Sequence, residues 1–222
     1  MSVVYYKSRR EAGEKAIQAF AQLHGQPVTV VSLNTDSLVI GAMLSSALGC
    51  PLQLYVTTDI DIPGNLNIGS VNQSGGYSDS SELSSGESDY YYQEFRGYIE
   101  DTKRSAFSSL NRELKGQTVI RKDLLKDRHI IIVDDCMTDQ VTLDSFIEYL
   151  KSISYHNLYV CTPIISSKLI SHVRQLSEFS YFEGTVEFFY GKDHYFEDNS
   201  VYDRNTGIKL VSDFLKLWPT PA

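Results

Sequence analysis

Apolar positions along this chain alternate between two periods. Ser8 followed by Glu11 is a capping-box pattern, and Ala12, Ala16, Ala19, Phe20 and Leu23 then recur at helical spacing up to Gly25. Val28–Leu33 (VTVVSL) predicts a first core strand and Leu38–Leu48 a helix stopped by Gly49. Leu52–Val56 (LQLYV) predicts the next strand, Asp59–Leu66 a turn-rich connection and Ile68–Val71 a short strand. The pattern predicts a long charged helix over Tyr90–Leu114, closed by Gly116. Ile130–Val133 is a run without a polar break, as expected of a strand buried on both faces. Val141–Lys151 predicts a helix, Asn157–Thr162 a strand ended by Pro163, and Ser166–Leu176 a helix. Tyr181–Phe189 predicts a further strand, and Lys209–Leu217 a last helix in an appendage over 200–222. Strand and helix alternate, which is the signature of a parallel, doubly wound α/β sheet.

One stretch breaks the pattern. Residues 72–89 (NQSGGYSDSSELSSGESD) are nearly all Ser, Gly and acid, a composition that buries no apolar face and predicts a mobile loop. With no repeat and no boundary signal elsewhere, 222 residues are expected to form one domain. A net charge of −8 argues against a general nucleic-acid binder, which needs a basic footprint, and leaves room for a small anionic ligand in a local positive pocket. The 15 tyrosines fit amphipathic strand and interface positions. Cys50, Cys136 and Cys161 form no CxxC pair and read as reduced thiols. The histidines have no metal-ligand spacing, so no protein-ligated metal is expected. Apolar runs are too short for a membrane span, and the N-terminus lacks a signal-peptide core; a cytoplasmic, soluble protein without membrane partners is the expectation.

Chemistry concentrates in His129–Thr142 (HIIIVDDCMTDQVT). The strand ends on Asp134 and Asp135, a short polar loop Cys136–Gln140 follows, and a helix begins at Val141. Such a corner, beyond the carboxyl end of a strand, is where open α/β sheets bind ligands. Free N–H groups at the helix start attract phosphate.

This order resembles the phosphoribosyl-diphosphate (PRPP) loop of the type I phosphoribosyltransferases, with Asp134, Asp135, Thr138 and Thr142 on matching positions. Further likeness to a bacterial branch of that family lies in Arg9-Arg10-Glu11-Ala12-Gly13, Ala47-Leu48-Gly49, Pro51-Leu52, Ile62-Pro63-Gly64 and Asn67-Ile68-Gly69-Ser70-Val71. Phe189-Tyr190 and Tyr195-Phe196-Glu197-Asp198 extend it, so that it spans about residues 5–200. The resemblance implies a type I phosphoribosyltransferase-like fold, a mostly parallel twisted sheet with helices on both faces. It also implies transfer of 5-phosphoribosyl to or from a nitrogenous base, with Mg2+ accompanying PRPP. It assigns Asp134 and Asp135 to the ribose hydroxyls. It assigns Cys136, Met137, Thr138, Asp139, Gln140, Val141 and Thr142 to the 5′-phosphate, and Asn34, Thr35, Asp36 and Ser37 to the pyrophosphate loop. A homodimer is a further expectation, because such folds often pair near the site.

Three departures point to impaired activity. Asn34-Thr35-Asp36-Ser37 replaces the family's Arg-Gly-Gly, Thr57-Thr58-Asp59 replaces a basic pair, and Asp139 and Gln140 replace a hydroxyl and a glycine. A carboxylate about 4–5 Å from a phosphate opposes it by several kcal/mol at an effective dielectric near 20. Asp36 and Asp139 each precede a predicted helix, which leads to the expectation that each caps its helix and fills the anion site itself. Arg9, Arg10, Arg96, Lys103 and Arg104 are the cations available to the pyrophosphate loop, Arg9 and Arg10 reading as solvated first-turn residues. The alternatives to a transferase are a catalytically inactive binding or regulatory module and a ribonucleotide or sugar-phosphate binder.

Overall fold

The computed structural model describes residues 4–80 and 83–219. Its first elements are β1 (Tyr6–Ser8), α1 (Arg9–Ala19), β2 (Val28–Ser32), α2 (Leu38–Leu48) and β3 (Leu52–Leu54). Then come β4 (Thr57–Ile62), β5 (Leu66–Asn72), β6 (Tyr77–Asp79), α3 (Ser85–Glu94) and α4 (Arg96–Leu114). They are followed by β7 (His129–Val133), β8 (Cys136–Met137), α5 (Val141–Leu150), β9 (Leu158–Cys161) and β10 (Ile164–Ser166). The last are α6 (Ile170–Leu176), β11 (Phe179–Tyr181), β12 (Gly184–Val186), β13 (Phe196–Asp198) and α7 (Arg204–Leu215). The described residues group into two compact units, one within 1–54, 118–139 and 153–222, the other within 55–117 and 140–152.

The first unit carries a five-stranded sheet in the order β11-β9-β7-β2-β3, with every neighbour parallel. Val28–Ser32 and Leu158–Cys161 are buried throughout, as a parallel strand covered on both faces requires. From β2 the chain steps to β3 on one side and later to β7 on the other. The order therefore reverses between β2 and β7, and their carboxyl ends open a crevice there. The register Ser32↔Val133 sets the two ends level. α1 buries Arg9, Ala12, Gly13 and Ala16 on one face, and Gly13 lies so close to Met43 that an added Cβ would meet its Sδ at 2.7 Å. Gly49 ends α2 in the left-handed conformation, φ +63, that a residue with a Cβ adopts at a cost. Two smaller parallel sheets, β1-β13 and β12-β10-β8, complete this unit.

The second unit is an antiparallel β4-β5-β6 sheet with α4 packed on β4 and β5, and α5 on β5 and β6. Tyr55, 1% exposed, packs edge-on to Phe146 at 4.9 Å and donates its hydroxyl hydrogen to Ser145 O at 3.0 Å.

The differences from expectation are local. The stretch 59–66 is a hairpin, not a connection: Ile60 and Ile62 are buried and alternate with polar neighbours, and the turn is confined to Pro63, Gly64 and Asn65. Within 72–89, β6 and the first turns of α3 are ordered elements; Ser84 and Glu87 form a capping box there. The long helix is interrupted at Phe95, two residues before the weak helix former Gly97. α1 ends at Ala19, six residues before Gly25, with a short 3-10 turn between. The strand expected over 181–189 is two short strands, β11 and β12.

Candidate functional site

Asp134 and Asp135 sit just past β7, at the reversal point of the sheet. Asp135 is fully buried and fully engaged. Arg9 Nε and Nη2 donate to its Oδ2 at 2.9 and 2.7 Å, and Lys192 Nζ donates to its Oδ1 at 2.9 Å. Arg9 is held in turn by Asn199 Oδ1, which accepts from Nη1 at 2.8 Å, and by the Phe196 ring 4.5 Å beneath its guanidinium. Asp134 keeps a 9% exposure, and its Oδ1 accepts from Asn34 Nδ2 at 3.0 Å and from the Cys136 N–H at 3.2 Å. Burial and the neighbouring Asp135 push the Asp134 carboxyl up to about 7, against the opposing pull of Lys192 and Asn34.

Asn34 organises the loop after β2. Its Oδ1 accepts from the Ser37 N–H at 2.8 Å while its amide donates to Asp134, which ties the loop to the acidic pair. Thr35 lies against α7: an added Cβ on Gly207 would meet Thr35 Cγ2 at 2.9 Å. The expected Asp36 cap is not formed. Ser37 is the N-cap of α2, without a side-chain cap bond, and Asp36 Oδ2 instead accepts from Lys192 Nζ. Lys192 gives Asp36 a charged partner, and the Ser37 N–H at the helix start is already taken by Asn34 Oδ1. The other expected cap, Asp139, also lies off the cap position, which falls on Gln140.

The stretch expected as the loop Cys136–Gln140 begins as a short strand, and the helix starts at Val141 as expected. Cys136 and Met137 form β8 beside β10, buried, and the Met137 N–H is taken by Thr162 Oγ1 at 3.3 Å. Thr138 and Asp139 end that run in the first unit; Gln140, Val141 and Thr142 open α5 in the second. Burial, then Asp135 and Asp134, raise the Cys136 thiol well above its ordinary range, so it stays protonated.

Of the five cations available to the loop, Arg10, Arg96 and Arg104 are exposed, and Lys103 lies over the Tyr77 ring at 3.6 Å. Arg9, expected in solvent, is 2% exposed. Its place was legible, since Arg9, Ala12, Gly13 and Ala16 share one helix face. Lys192 and Asn199, in the aromatic-acidic tail, had no spacing signal to mark them. Among the described residues no three His, Cys, Asp or Glu side chains group to hold a metal ion, and no helix is long and apolar enough to cross a membrane.

An open parallel sheet with a carboxylate pair and a buried arginine at its reversal point defines a type I phosphoribosyltransferase-like α/β protein. The phosphoribosyl transferase domain model matches residues 5–173, and the chain belongs to that family. Its fold is similar to TT1426 from Thermus thermophilus, with a TM-score of 0.70 at 16% identity over 95% of this chain and 99% of that one. A looser likeness, TM-score 0.46 at 16% identity, covers 85% of this chain and 96% of the purine phosphoribosyltransferase from Pyrococcus horikoshii Ot3. No curated protein matches the sequence.

Proposed function

We propose that this protein takes a phosphoribosyl ligand at the β2–β7 corner and transfers the phosphoribosyl group slowly or not at all. The observation that carries this reading is the engagement of both Asp135 oxygens by Arg9 and Lys192 in a fully buried setting. A carboxylate whose lone pairs face fixed cations has little left for ribose hydroxyls. Asp134 retains the exposure to accept one, and Asn34 fixes its orientation. The charges of Arg9 and Lys192 are matched by Asp135 and Asp36, so a diphosphate gains a cation at this corner only by displacing a carboxylate. Among the described residues no three His, Cys, Asp or Glu side chains group to hold a metal ion, so Mg2+ would arrive with the diphosphate of PRPP. The net charge of −8 supports a small-molecule ligand over nucleic acid.

Isothermal titration with PRPP and Mg2+ tests this. The expected result is binding at ~0.1 mM or weaker, with no nucleotide formed from a panel of purine and pyrimidine bases. Binding at or below about 10 μM with measurable turnover would overturn it.

A further inference from the structure

Gly191, at φ +103, turns the chain into the short 3-10 segment Lys192–His194. Tyr195, 2% exposed, follows, with Phe189 stacked on it at 5.6 Å, and β13 then pairs with β1. The turn is thus pinned from behind while Lys192 reaches forward. Its ammonium bridges two carboxylates from different elements, Asp36 in the loop after β2 and Asp135 past β7. An ammonium has three N–H donors, and these carboxylates take two among the described residues. The side chain keeps 27% of its surface exposed, and that of Asp36 keeps 30%. Burial works against the charge, but Asp135 and Asp36 outweigh it, so Lys192 is a cation throughout the neutral range.

We infer that Lys192 is the anion-binding residue of the 34–37 loop, with Asp36 as its built-in competitor: a diphosphate takes the third N–H and displaces Asp36 from another. Asp135, buried and shared with Arg9, remains the fixed anchor of the lysine during this exchange. The inference rests on the phosphoribosyl-ligand reading, since the diphosphate is that of PRPP or free pyrophosphate. It supplies from the chain's tail the cation that the loop itself lacks.

Titration of the full chain with pyrophosphate, PRPP and ribose 5-phosphate, Mg2+ present, tests it in wild type, Asp36→Asn, Lys192→Met and the double variant. Asp36→Asn is expected to tighten pyrophosphate about tenfold, a gain that the double variant loses. Ribose 5-phosphate, which has no diphosphate, is expected to bind equally to wild type and Asp36→Asn. No gain from Asp36→Asn, or a gain that survives in the double variant, overturns the assignment; if Lys192→Met does not fold, Lys192→Gln takes its place in both variants. If PRPP binds wild type and Lys192→Met equally, the assignment falls and the ligand reading stands. If PRPP binds no variant while pyrophosphate shows the Lys192-dependent gain, the ligand reading falls and the assignment stands.

Discussion

Arg9, the first residue of α1, and Asp135, just past β7, lie 126 positions apart and share two hydrogen bonds on one carboxylate oxygen. The pair ties the chain's first helix to the corner of the sheet that carries the candidate site. Both side chains are out of water, at 2% and 0% exposure, so each charge depends on the other.

Removing one partner is therefore costly. Arg9→Met is expected to destabilise the protein by about 3–5 kcal/mol, because it leaves Asp135 buried with Lys192 as its remaining cation. Asp135→Asn introduced alongside it should recover part of that loss. A double-mutant cycle by urea unfolding measures the coupling, and additive effects would count against the pairing.

Asp134 makes stability depend on pH. Its folded pKa of about 7 lies above the ~3.9 of an unfolded aspartate, so between these values the native state holds a proton that the unfolded chain releases. The contribution is full below the unfolded value, is lost as pH rises through the folded value, and is flat above it. Urea midpoints are expected to fall from about pH 5 to about pH 7.5 in wild type, and less so in Asp134→Asn, which has no such proton.

Gly207→Ala is expected to cost about 1–3 kcal/mol, because its methyl group would lie 2.8 Å from Leu38 Cδ1 and 2.9 Å from Thr35 Cγ2. Those residues belong to α2 and the loop before it, so hydrogen exchange should quicken at residues 34–38 as well as in α7.

In the second unit, Tyr55→Phe removes a buried hydroxyl that donates to Ser145 O and lies 2.9 Å from Ser145 Oγ. A loss of about 1–2 kcal/mol in guanidinium unfolding is expected. An unchanged midpoint would mean that water replaces the bond without cost.

The hairpin and the helix starts depart from expectation for different reasons. Thr57–Ile62 had the period of a strand, but Asp59 and Asp61 beside Pro63-Gly64 made it read as a turn; pairing with Leu66–Asn72 stabilises it. The acids at 36 and 139 had good capping chemistry, yet Asp36 faces Lys192, a partner 156 residues away. A local rule cannot weigh a competitor that distant.

What the sequence determined by itself is what repeats or is local: the alternation of strands and helices, the apolar run of β7, the stop at Gly49 and the acidic pair at a strand end. These follow from side-chain period and backbone conformation, which neighbours in the chain already express. Tertiary structure alone decided that Asp135 is closed off by Arg9 and Lys192, and that Asp36 serves a lysine instead of a helix. Those outcomes depend on which charges share a low-dielectric space, and only the folded chain brings residues 9, 36, 135 and 192 into it.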